Sequence, residues 1–254
     1  MRIPSTRSKV FKIYFQPKMC GKDQTIASAE ALVRWQREND TMWYPDMFLP
    51  ILEETGEIQA LDYYVYEETF AWMNQRRKEG KRVIPVSLNV SPVHFGNIHS
   101  FAEKVMALVK QYEINPYYVI FEITETTFIH PAGHLRKVFG NEMIRFFHEQ
   151  NIRISMDDFG SGYSSLNALK DILFDEVKID KRFLSDELSE NGKIVLQEIF
   201  HLLKRTNKSI VCEGVETKEM VDFLVEEGCD ELQGYYYYKP MSQNAFEKLL
   251  ENIA

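Results

Sequence analysis

Short runs rich in β-branched and aromatic residues alternate with amphipathic stretches along almost the whole chain, and this alternation is the tightest constraint on its fold. The strand-like runs are KIYFQP (12–17), ASAEALVRW (27–35), VIPVSLNV (83–90), YVIFEIT (118–124), IRISMDD (152–158), EVKID (176–180), SIVCEGV (209–215) and ELQGYYYY (231–238). Their composition suits strands. Between them, apolar residues recur at helical spacing. Phe101, Val105, Leu108, Val109 and Tyr112 form one stripe; Val195, Ile199 and Leu202 form a second. Val221, Leu224 and Val225 form a third, and Phe246, Leu249, Leu250 and Ile253 close the chain. The order is β β α and then repeated β α, and short strands each followed by a helix imply parallel pairing with helical crossovers. Eight strands without an internal linker predict one α/β domain over 1–254, a closed (β/α)8 barrel of the TIM type. A doubly wound sheet is the competing arrangement, weakened because no G-x-G-x-x-G follows the first strand.

At 254 residues the chain is long enough to bury a sizeable core, and 44% hydrophobic with 27% charged residues gives no sign of disorder. No apolar run approaches the roughly 18 residues that span a bilayer. The N-terminus MRIPSTRSKV lacks the apolar core of a signal peptide. A soluble, cytoplasmic chain without membrane contact is therefore expected. Cys20, Cys212 and Cys229 are odd in number and lack metal-ligand spacing, as idle thiols in a reducing compartment would. A formal net charge of −8 argues against bulk nucleic acid as a partner. A phosphorylated ligand would need cations supplied locally.

The polar residues at or near the strand ends form a chemically coherent set: Glu30, Asn89, Glu122, Asp157 with Asp158, Lys178, Glu213 and Gln233. In a parallel barrel these ends share the face where active sites lie. Strand alternation puts Arg153, Ser155 and Asp157 on one side of their strand and Ile152, Ile154 and Met156 on the helix-packing side. Asp157 then projects toward the barrel mouth, and Asp158 starts the loop. Adjacent aspartates repel and are costly to desolvate, and a hard divalent cation would cancel that repulsion. Histidines 94, 99, 130, 134, 148 and 201 all miss the strand ends, which points away from a histidine base and toward water activated by a metal. Each acid also has an ordinary use as a helix cap or a solvated side chain, and Asn89 could simply form a turn. Lys178, ending a buried strand, calls for an anionic partner. Spacing alone supports a metal site at a barrel mouth and nothing narrower.

The segments AEALVRW, VSLNVSP, FEITE, DDFGSGYSS, KIDKRF, CEGVET and QGYYYYKP occur in that order from about Tyr14 to the C-terminus. In this the chain resembles EAL domains, the cyclic di-GMP phosphodiesterases of bacteria, with Glu30-Ala31-Leu32 as the signature tripeptide. The resemblance implies a modified barrel with one irregular strand, two Mg²⁺ or Mn²⁺ ions, and hydrolysis of cyclic di-GMP to linear pGpG. By matching positions, Glu30, Asn89, Glu122 and Asp157 would ligate metal, with Asp157 shared between the ions. Asp158 would assist the second ion, Lys178 would hold the attacking water, Glu213 would act as general base or second-metal partner, and Gln233 would reach metal through water. Gln16, Leu32 and Arg34 resemble the substrate-contacting positions, and Glu125 the anchor of the DDFGSGYSS loop, which in the family links metal occupancy to dimer contacts.

A homodimer rests on the family alone, since no surface stripe in the sequence demands one. Flanking sensory or GGDEF domains belong to the same expectation. MRIPSTRSKVFK is too short and basic to supply the family's leading amphipathic helix, so a piece of a longer protein, or an unusual start, is expected. The connection containing HPAGHLRKVFGNEM looks a few residues longer than usual, and Lys239-Pro240 replaces the usual Arg-Pro. Two alternatives stand beside the active enzyme. One is a silent EAL domain serving as a cyclic di-GMP receptor or protein-interaction module. The other is a metal-dependent barrel acting on a different phosphoester or an enolisable acid.

Overall fold

A computed structural model describes residues 10–37, 41–129, 133–160, 169, 172–184 and 189–252. Its strands are β1 (Phe11–Cys20), β2 (Ile26–Gln36), β3 (Met42–Trp43), β4 (Val86–Asn89), β5 (Val119–Thr124), β6 (Arg153–Phe159), β7 (Glu176–Ile179), β8 (Ser209–Cys212), β9 (Glu231–Leu232) and β10 (Met241–Ser242). From β2 through β4 to β9 every neighbouring pair is parallel. Strand β1 closes the ring by pairing antiparallel with both β2 and β9. Eight strands thus form a closed barrel, while β3 and β10 extend β2 and β1 beyond it. The irregular strand that the family resemblance implies is β1.

Helices Ile58–Lys78, Ile98–Gln111, Gly133–Glu149, Glu190–Arg205, Lys218–Glu226 and Gln243–Asn252 surround the barrel. Outward strand residues such as Phe121 pack against Tyr66, Phe101 and Phe147 of those helices. Each fully buried side chain of this size contributes about 1.5–3 kcal/mol. The inward positions are different. Lys18, Ser28, Ser87, Glu122, Ser155, Glu176 and Lys178 are all buried, so polar side chains fill much of the interior, with Ile120 and Val211 beside them in register.

Several expectations need correcting, and the runs 83–90 and 209–215 are strands only at Val86–Asn89 and Ser209–Cys212. The run 231–238 is a strand only at Glu231–Leu232. The amides of Tyr237 and Tyr238 both bond back to Gly234 O, and a Cβ at Gly234 would lie 2.0 Å from Val215 O, a close approach that ends the strand in a turn. The buried stripe of Glu190–Arg205 is Leu196, Phe200 and Leu203, one position along from the predicted one; Val195 and Leu202 are exposed. Both faces carry apolar residues, so spacing could not choose between them. Val225 is likewise exposed, whereas Val221 and Leu224 are buried; Ile253 and His130 lie outside the described residues. Among the described residues no helix is long and apolar enough to cross a membrane.

Candidate active site

Strand β2 pairs with β4 only through Ala29 and Glu30, then leaves the barrel alongside β1 as far as Gln36. Glu30 therefore stands at the rim although it lies mid-strand. Asn89 and Glu122 are register partners on β4 and β5, and Thr124 pairs with Asp157 one step further. Strand β8 ends at Cys212 and β9 at Leu232, so Glu213 and Gln233 are the first residues beyond their strands. The shared tilt of the staves brings all of these to one mouth.

There the side chains touch. Lys178 Nζ lies 3.2 Å from Glu30 Oε2 and 3.3 Å from each of Glu122 Oε2, Asp157 Oδ1 and Glu213 Oε2. Asn89 Nδ2 donates to Glu30 Oε1 at 3.1 Å, and Gln233 Nε2 donates to Glu30 Oε2 at 2.8 Å and to Gln16 Oε1 at 3.1 Å. Gln16 in turn donates to Tyr238 O. Arg34 lies over the rings of Tyr14 and Tyr44, at 5.6 and 5.1 Å, beside this cluster. Leu32 and Asn89 share the lining of a small cavity of about 230 Å³.

Four carboxylates around one ammonium leave excess negative charge in a buried place. Burial, followed by the Glu122, Glu30 and Glu213 charges, pushes the Asp157 carboxyl up to about 8 against the pull of Lys178. Burial would also raise Glu122, but Lys178 and Lys18 together outweigh it and hold that carboxyl down at about 2. All the converging donors are carboxylate or carboxamide oxygens, the set that hard divalent cations prefer. Asp158, Asp180 and Glu213 form a second group whose ligand atoms lie within 4.8 Å of one another. Asp158 does not begin the loop as expected. It lies inside β6 at φ +56°, where the register against β7 shifts, and this left-handed bulge turns two successive carboxylates toward the mouth. Glu125 Oε2 accepts from Gly160 N at 3.1 Å, and Glu125 N bonds to Asp157 O, so the base of the loop is tied to the rim. The loop itself, residues 161–168, lies outside the described residues.

The profile of the EAL domain matches residues 3–240. The chain belongs to the EAL domain family. This EAL domain is 30% identical to the bifunctional diguanylate cyclase/cyclic di-GMP phosphodiesterase MucR of Pseudomonas aeruginosa, over 95% of the chain and 34% of that protein. It is 31% identical to the cyclic di-GMP phosphodiesterase RocR of the same organism, over 93% of the chain and 59% of RocR. The chain thus spans only part of the length of these relatives. The solved MucR phosphodiesterase in complex with c-di-GMP superposes with a TM-score of 0.85 at 29% identity, covering 95% of this chain and 96% of that one. An EAL domain protein from Listeria monocytogenes gives a TM-score of 0.83 at 25% identity, with 99% of each chain covered.

Two further residues of this EAL domain belong to the site outside the strand-end set. Asp180, the first residue beyond β7, accepts from Arg182 N at 2.7 Å while facing Asp158 and Glu213. Its position in KIDKRF, two after Lys178, was the available signal. Lys18 is fully buried in β1 and donates to Glu122 Oε1 at 2.7 Å and Ser87 Oγ at 2.8 Å. The strand-like run KIYFQP ends at Pro17, whereas β1 continues to Cys20 and so carries Lys18 into the barrel. Among the described residues no histidine belongs to the converging set.

Proposed function

We propose that this chain hydrolyses one phosphodiester of cyclic di-GMP to give linear pGpG, as a single EAL domain holding two Mg²⁺ or Mn²⁺ ions. The observation that carries the reading is the meeting of Glu30, Glu122, Asp157 and Glu213 around Lys178 within 3.3 Å. A single positive charge already occupies the focus of four carboxylates, and the burial and crowding that push Asp157 up to about 8 are what further cations would relieve. Glu30, Asn89, Glu122 and Asp157 would hold one ion; Asp157, Asp158, Asp180 and Glu213 would hold the other, with Gln233 reaching metal through water. Bound divalent cations supply Lewis acidity and lower the pKa of water, which makes a nucleophile available at neutral pH.

The chain's own groups would do the rest. Glu213, less buried than its neighbours, is placed to accept the proton of the attacking water. Lys178 offsets the charge that gathers on the phosphate. Arg34, steadied by Tyr14 and Tyr44, offers a planar fork to a phosphate or a guanine edge, with Gln16 and Leu32 beside it. Gly160, at φ +91°, lets the chain turn where Glu125 anchors the loop. A homodimer and flanking domains are carried by the family resemblance.

The test is purified protein with cyclic di-GMP and Mn²⁺ or Mg²⁺, products resolved by chromatography. Formation of pGpG that stops with chelator and with Glu30→Ala is the expected result. Tight binding without product would overturn hydrolysis in favour of a receptor, and neither binding nor product would point to another substrate.

A further inference from the structure

The peptide that carries Asn89 is held at three successive residues, and two of the holding groups come from one helix. Tyr66, fully buried on Ile58–Lys78, donates its hydroxyl to Asn89 O at 2.8 Å. The next amide, Val90 N, bonds to Glu122 O of the neighbouring strand β5 at 2.9 Å. The one after, Ser91 N, bonds to Asp62 Oδ2 at 3.2 Å. Pro92 then has no amide to donate. Asp62 and Tyr66 are four apart and so share one helix face. Asp62 Oδ2 is also 2.9 Å from His94 Nε2, and that imidazole is buried and stacked on Phe101 with ring centroids 4.2 Å apart. None of these groups touches the carboxylate cluster directly. Their common effect is to fix the backbone from Asn89 to Ser91.

That constraint matters because β4 supplies only four residues and Asn89 is its last. Pairing with β2 ends at Ser87, so the Asn89 peptide is braced by β5 alone and is open on the β2 side, where Tyr66 supplies the second hold. With Tyr66 holding the carbonyl, the Asn89 carboxamide is held against Glu30, its Nδ2 3.1 Å from Glu30 Oε1. We propose that Asp62, Tyr66 and His94 are positioning residues for the Asn89 carboxamide and so set how tightly the site takes a divalent cation, an inference that rests on the metal reading given above. Groups that orient a metal ligand without touching the metal typically change its affinity by about 10–100-fold when removed.

The test is Mn²⁺ binding to the metal-stripped protein, measured by titration calorimetry well below the melting temperature. Tyr66→Phe removes one hydroxyl and keeps the ring, and we expect its Mn²⁺ Kd to rise about tenfold. Asp62→Leu should rise by a similar factor, and turnover by both variants should recover in excess Mn²⁺. Tyr64→Phe is the control, because Tyr64 makes the same kind of bond to a strand carbonyl, Phe11 O at 2.9 Å, five residues along β1 from the Gln16–Glu30 pair. It should bind Mn²⁺ as the wild type does. A merely structural role would lower the melting temperature of all three variants and leave the Mn²⁺ Kd unchanged, which would overturn the inference. So would equal loss in Tyr64→Phe and Tyr66→Phe. If Asp62→Leu does not fold, Tyr66→Phe decides alone. A wild type that takes up no Mn²⁺ removes the metal reading and this inference together, whereas a binding wild type with unaffected variants removes only the inference.

Discussion

Lys18 Nζ lies 2.7 Å from Glu122 Oε1, and neither side chain reaches solvent. The other oxygen of Glu122 faces Lys178, so one carboxylate is shared between two ammonium groups from opposite parts of the chain. Removing one partner from such a buried pair typically costs about 3–5 kcal/mol, because the remaining charge stays desolvated. Lys18→Met should therefore lower stability by about that much in urea denaturation of metal-free protein. The double change Lys18→Met with Glu122→Gln should recover part of the loss. A Lys18→Met protein as stable as wild type would show that the pair is solvated or dispensable.

The pH dependence of metal-free stability should run opposite to ordinary acid denaturation in one window. Asp157 is protonated in the folded chain up to about 8 but loses its proton near 3.9 when unfolded. Between those values the native state binds the extra proton, so its stability falls as pH rises from about 4 to 8. Asp158, raised by burial, Asp180 and Glu213 to about 6, adds the same sign over the lower part of that window. Glu122, held down at about 2, acts the other way: it stabilises the native state above its unfolded pKa, and that stability is lost as pH falls toward 2. Denaturation midpoints in chelator at pH 5, 6, 7 and 8 measure the slope. Asp157→Asn should flatten it, leave the melting temperature at pH 7 no lower than wild type, and abolish hydrolysis.

Gly234→Ala should be destabilising by about 1–3 kcal/mol, the usual cost of forcing added volume into a packed place. Its Cβ would fall 2.0 Å from Val215 O and 2.3 Å from Val215 N, both backbone atoms that cannot turn aside. Because Gln233 precedes it and Glu213 lies two residues before Val215, activity should fall with stability. Gly96→Ala meets nothing within 4 Å and serves as the neutral comparison. Thermal melts of the two variants check the contrast.

Arg34→Lys should raise KM for cyclic di-GMP with little change in melting temperature. A lysine keeps the charge but gives up the planar stacking between Tyr14 and Tyr44 and the paired donors. Steady-state kinetics at saturating Mn²⁺ separates this from a metal effect; an unchanged KM would remove Arg34 from the substrate face.

The parallel β-α succession and most of the rim are legible in the chain's own pattern. Glu30, Asn89, Glu122, Asp157, Lys178, Glu213 and Gln233 could be read because strand ends in a parallel barrel converge whatever their separation in the chain. Side-chain periodicity carries no sign of strand direction, so only the closed sheet shows that β1 runs against both its neighbours. The same blindness hid Lys18: it lies 104 residues from Glu122, and barrel closure alone sets them face to face. The helix Glu190–Arg205 offered two apolar faces, and packing against the barrel chose Leu196, Phe200 and Leu203. Asp62 and Tyr66 carry no local signature either, since their partners are backbone groups of a strand placed beside their helix by the fold. Local pattern names the groups able to do chemistry, while long-range packing decides which of them meet and which hold the others in place.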